Sequence, residues 1–280
     1  MVADNDTKPS WYQTDAKSIN LDAQKLLESY SGLRAEDFVS HVLTLRDEAF
    51  QVCPYPCIGQ MRFLAFHLSR HPLYGRVVEY LRSNVKAGFL DAGCCVGQEI
   101  RPLAHQGIQS HQLFGLDMER AFIDLGYQLF RDKDRLEVTF TCGKLTKDND
   151  SEVLTQTLSG KIDIVFASSL HHLWNYETQL KSTTQLVQLL RDQVGAMVVG
   201  RQLGSLFAGD YPLTGFNDGM QYHHSLEPLN GLWHDIGQAT HTLWKVDALL
   251  EIDDAMRQNI DASWGVLNMR VTWWSATRIE

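Results

Sequence analysis

Apolar positions between residues 21 and 81 recur at steps of three and four. Leu26, Leu27 and Tyr30 form one group, Phe38, Val42, Leu45 and Ala49 a second, Met61, Leu64 and Leu68 a third, and Val77, Val78 and Leu81 a fourth. This spacing predicts a run of amphipathic helices, punctuated at Gly32 and at the Pro54/Pro56 pair. Beyond residue 88 the pattern changes. Short apolar runs at 88–91, 113–117, 136–141, 161–168 and 194–200 alternate with helical stretches, whose apolar faces include Phe122, Leu125 and Leu129, then Leu180, Leu186, Val187 and Leu190. Alternation of this kind predicts an α/β fold with a mostly parallel sheet covered on both faces. A helix bearing Leu229, Leu232, Trp233 and Ile236 leads into runs at 243–250 and 266–277 that suit a terminal antiparallel pair. Residues 1–84 read as an arm and helical cover and 85–280 as the α/β domain, the two making one compact unit.

Two stretches stand outside this pattern. Residues 1–18 are polar except for Trp11-Tyr12, which is either a hydrophobic plug on the domain surface or a lid that closes over a cofactor. Residues 203–225 are rich in Gly, aromatic and polar residues and too long for a connector, so they are expected to be a substrate loop, closed by His223 and His224.

The chain has 280 residues, of which 25 are Lys or Arg and 34 Asp or Glu, so its net charge of -9 argues against a general nucleic-acid surface. Five cysteines without a secreted-scaffold spacing fit a reducing cytosol. The first eight residues lack the apolar core of a signal peptide, and no apolar run reaches the roughly 18 residues of a membrane span. A cytoplasmic protein acting on a small molecule is expected, with no membrane or nucleic-acid partner and a homodimer left open. Cys53 and Cys57 have no second ligand pair nearby, and His67 and His71, at helical spacing, end at Pro72 without an accompanying Glu. No metal is expected at either pair.

Candidate chemistry begins where the run 88–91 feeds a tight turn, Gly93-Cys94-Cys95-Val96-Gly97. Glycines there let backbone N–H groups approach a ligand, and Asp91 at the strand end could hold a cationic amine. The dinucleotide pattern G-x-G-x-x-G is absent, which disfavours a hydride carrier. The turn, with Cys95 standing where glycine is usual, resembles motif I of class I S-adenosylmethionine (SAM) dependent methyltransferases. Asp117 ends the next strand about 20 to 25 positions on, where such folds place a carboxylate on ribose hydroxyls. Met118 beside it is a candidate to lie against an adenine. After the third strand many methyltransferases carry an acidic residue, whereas here Thr141-Cys142-Gly143-Lys144 follows, leaving Cys142 at that place.

Several further stretches extend the resemblance along the chain. Tyr30-Ser31-Gly32-Leu33, Pro54-Tyr55-Pro56-Cys57-Ile58-Gly59-Gln60, Gly126-Tyr127-Gln128-Leu129-Phe130 and Gly200-Arg201-Gln202-Leu203-Gly204, together with the glycine turn, are similar to the fungal secondary-metabolite methyltransferases, among them enzymes esterifying a carboxylate in meroterpenoid pathways. The resemblance implies a Rossmann-like, class I SAM methyltransferase fold with a seven-stranded sheet and SAM as cofactor, contacted by Asp91, Gly93, Asp117 and Ser168. Cys94, Gly97, Met118 and Cys142 join that set by position.

The acceptor side is expected near His171-His172 and Trp174, at the end of the fourth strand, with Arg201, His223, His224 and Tyr12. A carboxylate acceptor is already an anion at neutral pH and needs no base, so His171, His172 and Arg201 would hold it by hydrogen bonds. A hydroxyl acceptor would need one histidine as general base. A methyltransferase fold that catalyses a rearrangement instead, or that only binds, is the remaining reading.

Overall fold

The structure, a computed structural model, describes residues 8–9, 11–14, 16, 19–146, 148–212, 219–252 and 268–280. The N-terminal part folds as α1 (Leu21–Ser29), α2 (Phe38–Val52), the short α3 (Pro56–Gly59) and α4 (His67–Arg70), and α5 (Tyr74–Ser83). Asn20 caps α1 by accepting the Ala23 N–H at 2.9 Å, which satisfies one of the unpaired donors of the first turn. The third apolar group does not make the expected continuous helix. Met61 and Phe66 adopt left-handed backbone (φ 54° and 46°) and break it into a 3₁₀ turn, Arg62–Leu64, and the four-residue α4, so His71 lies beyond the helix.

The alternating region gives β1 (Phe89–Ala92), α6 (Ile100–His105), β2 (Leu113–Asp117), α7 (Arg120–Phe130), β3 (Thr139–Cys142), α8 (Asp148–Leu158), β4 (Ile164–Ser168), α9 (Tyr176–Leu189) and β5 (Met197–Ser205). A hairpin of β6 (Gly209–Pro212) and β7 (Met220–His223) follows, then α10 (Leu226–Thr240), β8 (Trp244–Glu251) and β9 (Met269–Arg278). The main sheet has the order β3-β2-β1-β4-β5-β9-β8; β3 through β5 are parallel, and β9 runs antiparallel to both its neighbours. This is the class I SAM methyltransferase fold. Strand β5 is longer than its apolar run suggested, because Arg201 to Ser205 stay paired with Trp273 to Met269 despite their polar character. Part of the expected substrate loop is therefore strand and hairpin, and its residues 213–218, like 266–267 of the last expected run, lie outside the described residues.

Side chains of the parallel strands alternate between two buried layers. Leu90, Phe114, Val165 and Val198 meet α8, α9 and α10, while Phe89, Leu113, Ile164 and Val199 meet α5 and α6. A third cluster joins α1 and α2 to α7 through Leu27, Val42, Leu45, Phe122, Leu125 and Leu129. Since neighbouring strands leave β1 in opposite directions, to β2 on one side and β4 on the other, the carboxyl ends of these strands are the topological switch point, the place where open α/β sheets have their ligand crevice.

The turn after β1 is fixed from several sides. Gly93 and Cys94 donate their N–H groups to the Leu116 carbonyl at 2.8 and 2.9 Å, and Arg101 donates to the Val96 and Gly97 carbonyls at 2.7 and 3.1 Å. The same guanidinium forks onto Asp132 (Nε–Oδ2 2.9 Å, Nη2–Oδ1 3.2 Å), and neither side chain is exposed to solvent. Tyr30 of the cover adds a hydrogen bond to Asp132 at 2.9 Å. A Cβ at Gly97 would overlap Arg101, and one at Gly126 would overlap the Val96 carbonyl, so α7 rests directly on the turn. Truncating Arg101→Ala strands Asp132 as a buried, uncompensated charge, and the expected loss is about 3–5 kcal/mol of unfolding free energy in urea titrations. Asp132→Ala together with Arg101→Ala should lose less than the sum of the single changes; simple additivity would show that the pair is uncoupled.

Candidate functional site

Three carboxyls converge where β1, β2 and the glycine turn meet. Asp91 is buried in β1, its Oδ2 has no hydrogen-bond partner, and burial, reinforced by the neighbouring Glu99 and Asp117, holds its carboxyl well above the usual range. Glu99, just past the turn, is pushed up to about 7 by burial. Asp117 is raised by burial as well, against the opposing effect of backbone donors that include Glu119 N–H to Oδ1 at 2.9 Å and Cys95 N–H to Oδ2 at 2.8 Å. Each oxygen of Asp117 keeps acceptor capacity after these bonds. Cys95 makes its contact from left-handed backbone (φ 49°), a conformation that costs a residue with a side chain about 1–2 kcal/mol.

This end of the crevice suits a cationic nucleoside. An orphaned buried carboxylate oxygen calls for a positive hydrogen-bond donor, and Asp117 presents an anchored carboxylate to hydroxyls. Gly93 (φ 75°) lies beneath Leu170, which a Cβ would approach at 3.1 Å. Met118 is exposed beside Cys142, whose thiol donates to the Met118 carbonyl at 3.2 Å, so both sit on the outer rim at the β2 and β3 ends. Two residues face elsewhere. The Cys94 side chain is buried against the Gly115 backbone, and Gly97 answers the steric demand of Arg101 and Phe140.

The opposite end has different electrostatics. At the β4 terminus Ser169 adopts left-handed backbone (φ 55°), donates its N–H to the Arg201 carbonyl at 2.6 Å and accepts from the Arg201 guanidinium at 3.2 Å. Arg201 also lies over the Trp273 ring at 5.8 Å. His172 accepts from the Leu203 N–H through Nδ1 at 3.4 Å. Burial, followed by the nearby His223, Arg201 and Arg62, drives its imidazole well below the ordinary value. His171 is enclosed by Trp174 and Trp274, with centroids at 6.4 and 5.6 Å; both its nitrogens lack partners and burial lowers it to about 3. His223 stacks on Tyr211 at 4.7 Å and His224 bonds Gln179 Oε1 at 3.0 Å; burial lowers each to about 4.

The structure thus brings His172, Arg201 and His223 together. His224 and Trp174 are engaged in packing, Trp174 through its carbonyl, which accepts from Tyr222 N–H and Gln179 Nε2 at 2.9 Å each. Tyr12 is strapped to α2: its hydroxyl bonds Asp47, its ring lies 4.4 Å from the Arg46 guanidinium, and Gly59 passes beneath it. These contacts, with the edge-on packing of Tyr12 on Phe50 at 4.8 Å, hold Tyr12 against α2 and α3. Sequence reasoning missed His67 and Glu99. Glu99 accepts the N–H groups of His67 and Leu68 at 2.7 and 3.0 Å, and His67 Nδ1 lies 3.1 Å from Ser168 Oγ. No local pattern announces these contacts, since they join the cover to the domain across 31 to 101 residues of chain.

Residues 11–64 match the family model of a meroterpenoid methyltransferase N-terminal domain, and residues 89–193 that of a methyltransferase domain. Similar proteins include O-methyltransferase phiE of Fungal sp. (strain ATCC 74256), 38% identical over 88% of this chain and 80% of that protein. O-methyltransferase atr3 of Stereocaulon alpinum is 35% identical over 86% and 69% of the respective lengths. Asnovolin E/Chermesin D methyltransferase nvfJ of Aspergillus novofumigatus is 30% identical over 86% and 85%. Among solved structures, an N-methyltransferase of Haemonchus contortus in complex with phosphomonomethylethanolamine and S-adenosylhomocysteine shares the fold (TM-score 0.50, 13% identity, 94% of this chain and 61% of that one).

Because Asp91 has a raised folded-state pKa, its burial opposes folding above the unfolded value near 4 and increasingly so as pH rises. Asp91→Asn is therefore expected to stabilise the ligand-free protein at pH 8 and to make little difference at pH 4, while weakening SAM binding about tenfold or more. Urea titrations across pH and calorimetry of SAM binding measure the two effects. A variant less stable than wild type at pH 8 with unchanged SAM affinity would remove Asp91 from this role.

Proposed function

The chain belongs to the fungal secondary-metabolite family of SAM-dependent methyltransferases with a meroterpenoid-type N-terminal domain, and from that premise we propose that it converts a carboxylate of its small-molecule acceptor into a methyl ester. The observation that carries this reading is the weak basicity of the histidines. His171, His223 and His224 are held at about 3 to 4, and His67 and His172 are displaced in the same direction. Moving a proton from a phenol with pKa near 10 to a base near 4 is uphill by about 8 kcal/mol, so His171, His223 and His224 do not suit the deprotonation of a hydroxyl, and the downward displacement of His67 and His172 by burial works in the same sense. A carboxylate arrives ionised.

SAM, when bound, supplies an electrophilic methyl carbon on a sulfonium. The residues of the chain then have to bind, orient and exclude water. Asp91 and Asp117 are assigned to the amine and the ribose of the cofactor, with Gly93 and the backbone of the turn alongside and Met118 and Cys142 at the adenine rim. Arg201 and His172 are assigned to the acceptor anion. Neutral imidazole donors hold an anion without quenching its nucleophilicity as fully as a bidentate guanidinium would. Trp273 beside Arg201, with Trp174 and Trp274 flanking the neighbouring His171, lowers the local polarity, which favours meeting of a cation and an anion that lose charge as they react.

Incubation with methyl-deuterated SAM and 4-hydroxybenzoate, which offers both groups on one ring, tests the choice. Label should be recovered as methanol after mild alkaline hydrolysis. Label retained through hydrolysis as an aryl methyl ether would overturn the carboxylate reading.

A further inference from the structure

His67 belongs to the helical cover, yet it is built into the mouth of the sheet. Its backbone N–H is taken by Glu99 Oε1 at 2.7 Å, and its ring Nδ1 stands 3.1 Å from Ser168 Oγ at the end of β4. The ring packs edge-on to Trp273 at 6.4 Å, the same indole that lies under Arg201. Nε2 has no hydrogen-bond partner among the described residues, and the residue as a whole is half-buried. The segment that delivers the ring is bent at two left-handed residues, Met61 and Phe66, a conformation with a steric cost that persists only where the surroundings enforce it.

We infer that His67 is an acceptor-binding residue: with Ser168 Oγ–H donating to Nδ1, the Nε2–H donates a hydrogen bond to the acceptor carboxylate. The inference rests on the carboxylate reading above and adds to it a donor from the N-terminal domain. Burial first, and then the nearby cations Arg201, Arg70 and Arg62, displace the ring's pKa downward, while Glu99 is occupied by the backbone donors of His67 and Leu68. The ring is therefore kept neutral, and a neutral imidazole whose Nδ1 accepts must carry its proton on Nε2. Glu99 follows the glycine turn directly, so the loop assigned to the cofactor also sets the height of His67 above it. Cofactor and acceptor would then be aligned by one continuous piece of backbone.

Benzoate serves as a carboxylate probe on the full chain saturated with S-adenosylhomocysteine. In ¹⁵N spectra, benzoate should fix His67 as the Nε2–H tautomer with Nδ1 unprotonated. His67→Phe, which keeps the packing on Trp273, should weaken benzoate about tenfold or more while S-adenosylhomocysteine affinity stays within twofold. His67→Gln, which retains an amide donor, should recover part of the loss. Benzoate binding that leaves the His67 signals unmoved, or a His67→Phe variant that binds it as tightly as wild type, overturns the role of His67 and leaves the carboxylate reading standing. Phenol that binds and moves the same signals where benzoate does not would instead overturn the carboxylate reading. Absence of binding by both probes contradicts the two together.

Discussion

The Arg101 guanidinium holds the carbonyl oxygens of Val96 and Gly97 along one edge and the carboxylate of Asp132 along the other, entirely out of water. A buried charge of this kind tolerates little displacement, because every lost hydrogen bond leaves a desolvated group behind. The turn after β1 is consequently stiff. Leu116 pins its start, Arg101 its end, and Asp117 its middle through Cys95 N–H. Since Tyr30 also reaches Asp132, the cover and the turn share one anchor, and the N-terminal helices are part of the site's framework.

On that framework the crevice acquires two unlike ends. Carboxyls crowd the β1 and β2 side, where nothing of opposite sign pairs with Asp91 Oδ2. Guanidiniums and neutral imidazoles occupy the β4 and β5 side. Left empty, the acidic end is electrostatically unfavourable, which is the usual relation between a binding site and the stability of its fold. A cation at the acidic end would relieve it, and under the proposed ester chemistry an anion at the other end would lose its charge together with that cation.

Much of this was legible in the chain. The helical spacing before residue 84, the strands at β1, β2 and β4, and Asp117 as the carboxylate at the end of β2 all followed from periodicity and the glycine turn, because both are local signals. What was not legible depended on long-range contacts. Leu203 to Ser205 read as the start of a loop, yet pairing with β9 keeps them in the strand. His67 and His71 looked like one helical pair; the left-handed Phe66 and the exit at Pro72 send the first to Ser168 and the second to the Trp274 carbonyl at 3.1 Å. Among the doubled histidines, spacing alone could not separate His172, beside Arg201, from His224, which is spent on Gln179.

The most direct measurement is a crystal structure of the chain with bound S-adenosylhomocysteine. The expected result has the amine of the ligand within hydrogen-bond distance of Asp91 Oδ2 and its ribose hydroxyls on Asp117, with the Cys95–Asp117 and Arg101–Val96 bonds retained. A ligand lodged away from both carboxylates, or a turn that must break those bonds to admit it, would contradict the assignment of this crevice to the cofactor.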